Sequence, residues 1–562
     1  MSGGNRHAGP SRKSRAALFA LYLSTPAFAL LAPFLVFTQY HHYEPWRPEL
    51  VLAALPILGV GLCLGLMVAL RPRSLGFVVC VTLLNLFLMM LVPGYDLTLV
   101  RVVFSSSLLS ATMAGIVVAA IVILIWTQRD KVPLISACVF GTVFVSVLVL
   151  PPDRALLGNQ FERAGGSATD PAPPPLVHII LDEHLGIEGI PTDVAGGRRL
   201  RDDLMGFYRR HGFSLHGGAF SHASQTQHAL AAMFNGQAFP DADTAARRSP
   251  RAAYALDRNR WFDRLADQGY DVRVYRNDWL DFCPDDPPSL TSCEVMSANG
   301  LRPLREAALP TPQKAELILF GFVTSTATLL RYPHVPKYKL GAMAMKDGLS
   351  RMALDLRRNP RGTAVFAHFL MPHFSYIYDS SCNLKPELST WLWRTLSHST
   401  TASVNTPDSR RRRYRAYFDQ VRCTYELLGG FFDDLKQAGL YDDATIIVHG
   451  DHGSRIGIHD PWPQTRSLLS DDDLFDYYST LYAVKRPGAG PSYSREQRSI
   501  QALFGEQFLG EILDPSTDRD LYLRGYDPGS DGPAMVVTMP APRSPTEALS
   551  RLSGGDFETG LQ

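Results

Sequence analysis

The segment Thr445–Asp460, TIIVHGDHGSRIGIHD, decides how the second half of the chain is interpreted. A short apolar run ends at Gly450, and Asp451 and His452 follow at once. Short continuous apolar runs are typical of strands that are covered on both faces. In open α/β sheets, ligands bind beyond the carboxyl ends of the strands. The segment therefore predicts a buried strand whose end carries an acid and an imidazole at a ligand-binding edge.

Two further apolar runs end in the same way. LVHIIL, residues 176–181, is followed by Asp182, Glu183 and His184, and TAVFAHFLMP, residues 363–372, is followed by His373. His459 lies shortly after the third run. Singly, such an acid is commonly a helix N-cap and such a histidine an ordinary surface or core residue. At three strand ends together, carboxylates and imidazoles predict a site for a divalent cation such as Zn²⁺ or Mn²⁺, with Mg²⁺ or Ca²⁺ as alternatives.

Helical and strand patterns alternate through this part of the chain. RNRWFDRLADQGYDVRVYRND, residues 258–278, reads as an amphipathic helix, a glycine stop and a strand, and a long helical stretch precedes Thr445. Strands that alternate with helices indicate βαβ units. We therefore predict an α/β sandwich with a mainly parallel sheet over residues 176–540, followed by a disordered tail at 541–562.

The N-terminal part has a different composition, because it consists mostly of apolar runs. Each run approaches the ~20 residues that a helix needs to cross a bilayer, which predicts a transmembrane domain over residues 1–151. The five predicted spans are about 17–38, 51–70, 75–93, 107–126 and 133–151.

The basic residues between the spans predict the orientation. Those on one side are Arg6, Arg12, Lys13, Arg15, Arg71, Arg73, Arg129 and Lys131. The opposite loops hold only Arg47 and Arg101. The positive-inside rule then puts the N-terminus in the cytoplasm. Five crossings would deliver the remainder to the outer side of a bacterial inner (cell) membrane, in the periplasm or at the outer surface.

The cysteines agree with an oxidising compartment. Cys63, Cys80 and Cys138 lie in predicted spans, whereas four cysteines lie in the polar part and allow three disulfide connectivities. We favour Cys283–Cys293 with Cys382–Cys423.

Before the first strand, residues 152–175 are rich in Pro, Gly, Ala and Ser and are predicted to be a linker.

Charge excludes one class of function. The 562-residue chain has a formal net charge of +1, which gives no global basic field of the kind that nucleic-acid-binding proteins show. The one dense basic run is DSRRRRYR, residues 408–415. It reads either as a solvated helix start or as a contact with anionic lipid head groups.

Residues 175–535 resemble the alkaline phosphatase/sulfatase superfamily. The pieces that carry the resemblance are VHIILDEH, SQTQHALAAMFNG, FAHFLMPHFSY and IIVHGDHG, in this order along the chain, with WFDRLADQGYDV as a further match. The superfamily implies a metal-dependent enzyme in which Asp182, Glu183, Asp451 and His452 are metal-ligand candidates. His373 and His459 are implied on the substrate side.

The resemblance also locates a nucleophile. In sulfatases a modifiable Cys lies ten residues before the Gly that closes the nucleophile helix, and counting back from Gly236 reaches Thr226. A threonine that acts as nucleophile and metal ligand is a feature of the membrane-anchored branch, the lipoteichoic acid synthase-like phosphoglycerol transferases and phosphoethanolamine transferases. The resemblance therefore implies both roles for Thr226. Ser224 is the alternative nucleophile, and an N-cap hydroxyl is the alternative role for Thr226. The absent Cys argues against sulfate ester hydrolysis.

The implied function is transfer of a phosphoglycerol or phosphoethanolamine group. A membrane phospholipid would be the donor, an envelope glycan the acceptor, and a phosphothreonine the intermediate. One alternative is a phosphatase or phosphodiesterase on the same scaffold, with water as the acceptor. Another is a non-catalytic envelope assembly protein.

Overall fold

A computed structural model describes most of the polar part of the chain and two N-terminal helices. The described residues are 12–41, 43–70, 159–163, 172–249, 252–296, 302–305, 307–329, 340–392, 405–525 and 536–541, with isolated positions between 123 and 145. The predicted tail at 541–562 lies, apart from Ala541, outside them.

Eleven helices and fourteen strands are numbered below over the described ranges. Helices α1 to α11 are Arg12–Tyr40, Pro48–Leu70, Gly197–Arg210, Thr226–Asn235, Arg260–Asp267, Thr311–Leu329, Ala344–Arg358, Leu388–Trp391, Pro407–Gln437, Asp471–Tyr478 and Ile500–Phe504. Strands β1 to β14 are Asn159–Glu162, Leu176–Leu181, Ser214–His216, Arg247–Arg248, Tyr254–Ala255, Asp271–Arg276, Leu280–Asp281, Ser292–Val295, Thr363–Phe369, Thr445–Gly450, Tyr482–Lys485, Ser492–Ser494, Asp520–Tyr522 and Val536–Thr538.

The chain divides into two compact units. The first comprises Met1–Leu157 with Leu309–Lys337, and the second comprises Gly158–Ala308 with Tyr338–Gln562. Helix α6 thus groups with α1 and α2, although in sequence it interrupts the predicted 176–540 domain. This helix was not predicted from the sequence.

In the first unit, α1 and α2 pack closely because α2 presents glycines at the contact. A Cβ on Gly65 would come within 2.1 Å of the Leu23 carbonyl oxygen. Phe322 of α6 packs edge-on against Phe34 of α1, with ring centroids 5.3 Å apart. Phe19–Gln39 and Pro48–Leu66 are long and apolar enough to cross a membrane. They match the first two predicted spans, while the spans at 75–93, 107–126 and 133–151 lie almost entirely outside the described residues.

The second unit is built on a nine-stranded sheet with the order β1-β8-β6-β9-β2-β10-β11-β3-β12. The five strands from β8 to β10 run parallel, as predicted. Antiparallel pairing of β1 with β8, of β10 with β11 and of β11 with β3 makes the sheet as a whole mixed. Strand β1 falls inside the predicted 152–175 linker, so part of that segment is an edge strand instead.

Both faces of the sheet are covered. Ile180 and Phe366 join a buried cluster with Phe234 of α4, Trp261 of α5 and Phe504 of α11. Side chains that alternate with these along the strands point to the other face and are also buried. This explains why the central strands read as continuous apolar runs.

Two disulfides confirm the predicted pairs. Cys283 bonds to Cys293 and Cys382 bonds to Cys423. Of the cysteines in the predicted spans, Cys63 and Cys138 are free thiols, and Cys80 lies outside the described residues.

Candidate active site

The central strands place their acidic ends side by side. Leu181, the last residue of β2, pairs in parallel register with Phe369 of β9 and with Gly450 of β10. Asp182 and Asp451 each follow by one residue and are 2% and 0% exposed. Register between neighbouring parallel strands, rather than closeness in sequence, therefore brings the two carboxylates together.

Asp182, His368 and Asp451 form a cluster with the spacing of a metal site. Each offers one ligand atom, and these atoms lie within 4.8 Å of one another. Asp182 Oδ1 and Asp451 Oδ2 are buried and have no hydrogen-bond partner. Burial and then the charges of Asp451 and Glu183 raise the pKa of Asp182 well above its usual range. Two buried, unpaired carboxylate oxygens that repel each other fit a divalent cation.

The imidazole of His452 turns a lone pair toward this cluster. Its Nδ1 is 2.9 Å from the Gly453 carbonyl oxygen, so Nδ1 carries the proton and Nε2 is unprotonated in the neutral ring. Burial lowers the pKa of His452 to about 4, which keeps the ring neutral. Nε2 lies 3.2 Å from Asp451 Oδ2 and 3.8 Å from Asp182 Oδ1. His452 can therefore ligate a cation together with both carboxylates.

Thr226 lies beside the cluster of Asp182, Asp451 and His452, although it belongs to helix α4 and not to the strands. It is the first residue of α4, which ends at Gly236 in the left-handed conformation, as the counting from Gly236 requires. The N-cap is Gln225 rather than Thr226, so the Thr226 hydroxyl is not used for capping. Thr226 Oγ1 lies 3.3 Å from His452 Nε2 and is buried. The sequence prediction that Thr226, Asp182, Asp451 and His452 lie together agrees with this geometry.

His368 was not predicted from the sequence because it lies inside β9, one residue before the last residue of the strand. The Asn277 amide oxygen accepts from Trp279 N at 2.8 Å, which leaves the amide nitrogen to donate to His368 Nδ1 at 3.1 Å. In the neutral ring, Nε2 then carries the proton. That N–H points toward Asp182, with Nε2 3.8 Å from Oδ2. This hydrogen-bond pattern makes His368 a donor to an anion rather than a cation ligand.

Glu183 occupies a different place from Asp182. Its backbone is left-handed, with φ 62°, and its amide donates to Asp451 Oδ1 at 3.1 Å. Its carboxylate instead accepts from Arg455 Nε at 2.6 Å. Although burial acts in the opposite direction, Arg455 and His373 lower the pKa of Glu183 to about 2. The structure therefore places the Glu183 carboxylate on Arg455, not among the oxygens that face the cation site.

The two predicted substrate-side histidines are separated. His373 Nε2 lies 3.2 Å from Arg455 Nη2 and 3.5 Å from Glu183 Oε1, at the edge of the site. His459 contacts Asp473, with Nδ1 3.3 Å from Oδ2, and its amide donates to the same carboxylate at 3.0 Å. His459 is thus held on the start of α10 and has no contact with the cluster among the described residues. Ser224 Oγ, the alternative nucleophile, is buried without a hydrogen-bond partner.

Comparison with known proteins finds a family match and a partly matching relative. Residues 208–473 match the family model described as Sulfatase. Over 77 residues, 14% of this chain, the sequence is 35% identical to lipoteichoic acid synthase 1 of Bacillus subtilis (strain 168), and the match spans 10% of that protein.

Solved structures of low identity are also similar. The C-terminal periplasmic domain of EcEptC from Escherichia coli matches with 10% identity and TM-score 0.36, over 65% of this chain and 92% of that one. Lipoteichoic acid synthase LtaP from Listeria monocytogenes matches with 11% identity and TM-score 0.31, over 61% and 73%. The sulfatase match covers α4, β9 and β10, which carry Thr226, His368 and the approach to Asp451. Residues 208–473 therefore form a Sulfatase-family domain, and three residues of the second unit have the spacing of a metal site.

Proposed function

We propose that this protein transfers a phosphoglycerol- or phosphoethanolamine-type group from a membrane phospholipid to an envelope glycan, with Thr226 as the covalent carrier. The observation that carries the proposal is the position of the Thr226 hydroxyl. It is buried and free of a capping role, and it lies 3.3 Å from an unprotonated imidazole nitrogen, beside two carboxylates that each have one oxygen without a hydrogen-bond partner. A threonine hydroxyl is a weak nucleophile, so it needs activation by a neighbouring base or by a metal ion.

The residues that would hold a divalent ion are Asp182, Asp451 and His452, with Thr226 as a further ligand. Two carboxylates and one imidazole suit Zn²⁺ or Mn²⁺, with Mg²⁺ and Ca²⁺ as alternatives. Such an ion supplies positive charge that favours an ionised hydroxyl and offsets the charge of a phosphoryl group.

The proposed reaction has two steps. Thr226 Oγ1 attacks phosphorus, the Oγ1–P bond forms, and the bond from phosphorus to the diacylglycerol oxygen breaks. The proton lost from Thr226 ends on diacylglycerol, and His373 is the proposed carrier at the edge of the site. The His368 N–H stabilises charge on a phosphoryl oxygen. In the second step a glycan hydroxyl attacks phosphorus, the bond from the glycan oxygen to phosphorus forms and the Oγ1–P bond breaks. The proton of the glycan hydroxyl returns to Thr226 Oγ1.

The location follows from the same reasoning. Two candidate spans near the N-terminus would keep the enzyme at the bilayer that contains its donor. Two disulfides suit an oxidising compartment. We therefore propose a multi-pass protein of a bacterial inner membrane, with a cytoplasmic N-terminus and a periplasmic catalytic unit.

Mass spectrometry tests the covalent step directly. The full-length protein in detergent is incubated with Mn²⁺ or Zn²⁺ and bacterial phospholipids, and the peptide containing Thr226 is weighed. We expect an adduct in the wild type and in Ser224→Ala, and none in Thr226→Ala. An unmodified peptide with every donor and metal would overturn the proposal. If the adduct forms but only free phosphoglycerol or phosphoethanolamine is released in the presence of glycans, the protein is a hydrolase.

A growth assay tests the non-catalytic alternative. If Thr226→Ala and Asp451→Ala both restore every envelope phenotype of a deletion strain, the fold acts as an assembly module. We expect neither variant to do so.

A further inference from the structure

Glu183 occupies a position in a tight turn where glycine is the usual residue. The His184 amide donates to the Leu181 carbonyl oxygen at 3.3 Å, which closes a turn with Asp182 and Glu183 in its middle. At Glu183 the backbone φ is 62°. This left-handed conformation disfavours a residue with a Cβ by about a tenfold population ratio, whereas glycine adopts it without that cost. Other contacts must therefore hold Glu183 in this conformation.

The hydroxyl of Tyr417, on α9, binds the backbone of this turn. It donates to the Glu183 carbonyl oxygen at 2.9 Å and accepts from the Leu185 amide at 2.9 Å. The Tyr417 side chain is completely buried, and its ring packs edge-on against Tyr376 with ring centroids 5.8 Å apart. At 3.3 Å, the bond from His184 is longer than an ordinary N–H···O bond. Tyr417 is therefore the closer support of the peptide that follows Glu183.

The peptide that precedes Glu183 is held by a candidate metal ligand. The Glu183 amide donates to Asp451 Oδ1 at 3.1 Å, and the His452 amide donates to the same oxygen at 2.9 Å. Both bonds use Oδ1, and they leave Oδ2 without a hydrogen-bond partner, 3.2 Å from His452 Nε2. The carboxylate orientation that offers Oδ2 to an ion thus depends on the direction of the Glu183 amide.

The two supports act on the same pair of dihedral angles. Because peptides are planar, φ and ψ of Glu183 are the rotations between the peptide planes on its two sides. Asp451 holds the first plane and Tyr417 holds the second. The strand end is fixed, because the Asp182 amide donates to the Phe369 carbonyl oxygen at 3.0 Å. Without the Tyr417 hydroxyl, relaxation of Glu183 would rotate the peptide between Asp182 and Glu183 and turn its N–H away from Asp451.

We propose that Tyr417 is a positioning residue for the divalent cation. Its hydroxyl holds the left-handed turn at Glu183, and this turn keeps the Glu183 amide on Asp451 Oδ1, so that Oδ2 faces the ion. Tyr417 acts through the backbone and not as a ligand. This inference rests on the proposed function, because it concerns the ion that Asp182, Asp451 and His452 would hold.

Mn²⁺ binding measures this role without requiring catalysis. The full-length protein in detergent is titrated with Mn²⁺ alone at one fixed pH, and free Mn²⁺ is followed by electron paramagnetic resonance. Tyr417→Phe keeps the aromatic ring and removes only the hydroxyl. We expect this variant to bind Mn²⁺ about tenfold more weakly than the wild type does. A change of less than about threefold would overturn the positioning role.

A comparison at position 183 separates positioning from a general loss of packing. Glu183→Ala and Glu183→Gly both remove the carboxylate, but only glycine adopts the left-handed conformation without cost. Tyr417→Phe added to Glu183→Ala should weaken Mn²⁺ binding about tenfold, whereas the same change added to Glu183→Gly should weaken it at most about twofold. Equal losses in the two backgrounds would mean that the hydroxyl does not act through the turn, which overturns the proposal.

Tyr425, also on α9, provides a matched control. It is buried, and its hydroxyl lies 2.8 Å from His184 Nε2, so it contacts a side chain of the same segment and not the turn backbone. Tyr425→Phe should keep the Mn²⁺ affinity within about twofold of the wild type. If Tyr425→Phe weakens binding as much as Tyr417→Phe does, loss of any buried hydroxyl is sufficient and the proposal fails.

Failure of this inference and failure of the proposed function give different results. If the wild type and Asp451→Ala bind Mn²⁺ equally well, the cation site of the proposed function is wrong, and the positioning role is wrong with it. If the wild type binds more tightly than Asp451→Ala and Tyr417→Phe equals the wild type, only the positioning role is overturned.

Discussion

Gln420 of α9 gives the sharpest prediction, because one buried amide holds the loop that carries His373. Its Oε1 accepts from two backbone amides, and its Nε2 donates toward three backbone carbonyls. The partners are Ile377 N at 2.7 Å, Tyr378 N at 3.4 Å, Pro372 O at 3.2 Å, His373 O at 2.9 Å and Ser375 O at 3.1 Å. Replacement by methionine keeps the length of the side chain and removes all of these bonds.

The size of the effect follows from the bonds. Two hydrogens on Nε2 are shared among three carbonyls, so the side chain supplies the equivalent of about four hydrogen bonds at roughly 1 kcal/mol each. Gln420→Met should therefore lower the free energy of local opening by about 4 kcal/mol, which is about a thousandfold more frequent opening. Opening of this loop also moves His373 away from Glu183, so transfer activity should fall.

Hydrogen–deuterium exchange measures this opening peptide by peptide. Exchange in residues 371–379 should accelerate in Gln420→Met. Gln501 of α11 is an equally buried control, because its amide contacts Ser221, His222 and Ala229 instead. Gln501→Met should accelerate exchange near residue 225 and leave 371–379 unchanged. If Gln420→Met accelerates exchange in 371–379 by less than about tenfold, the proposed hydrogen-bond contribution is wrong.

Three other perturbations follow from the same structure. Asp182→Asn removes repulsion within the cluster, so its metal-free form should melt at a higher temperature than the metal-free wild type, whereas added Mn²⁺ should stabilise only the wild type. Melting curves recorded with EDTA and with Mn²⁺ check both expectations. An equal Mn²⁺-induced shift of the melting temperature in the two proteins would contradict the metal site. Asp476→Asn should destabilise the second unit by about 3–5 kcal/mol, because it leaves the Arg410 guanidinium buried opposite a neutral amide; a drop below about 1 kcal/mol in denaturant unfolding would refute this. Burial and then His449 lower the pKa of His178 well below 6.5, so the unfolded chain takes up this proton first and stability should fall as the pH drops below about 6.5. His178→Leu should flatten that slope, and an unchanged slope would contradict the assignment.

Those parts of the site that local sequence patterns specify could be predicted. Buried parallel strands read as apolar runs, and their ends predicted the meeting of Asp182, Asp451 and His452. Spacing from a terminal glycine located Thr226. These signals depend only on residues near each strand or helix.

Other parts depend on pairings between distant segments. In Asp182–Glu183 the sequence offers two carboxylates, and only the left-handed backbone at Glu183 turns its carboxylate to Arg455. His368 lies within a continuous apolar run, where its direction depends on strand register. The chain at β13 is brought beside the nucleophile helix by a bridge between Ala223 and Tyr522, about three hundred positions apart in the printed sequence. No local pattern predicts such a bridge.

The bond between Cys382 and Cys423 has a consequence for when the protein becomes competent. Cys423 lies one helical turn after Gln420, so the same stretch of α9 is joined to the His373 loop twice. The Gln420 amide binds the backbone at His373, and the disulfide attaches the chain at Cys382, nine residues further along. Thiols stay reduced in the cytoplasm. In the proposed periplasmic location of the catalytic unit, a newly made chain that has not yet been exported would lack the disulfide, and the His373 loop would acquire its final rigidity only after translocation.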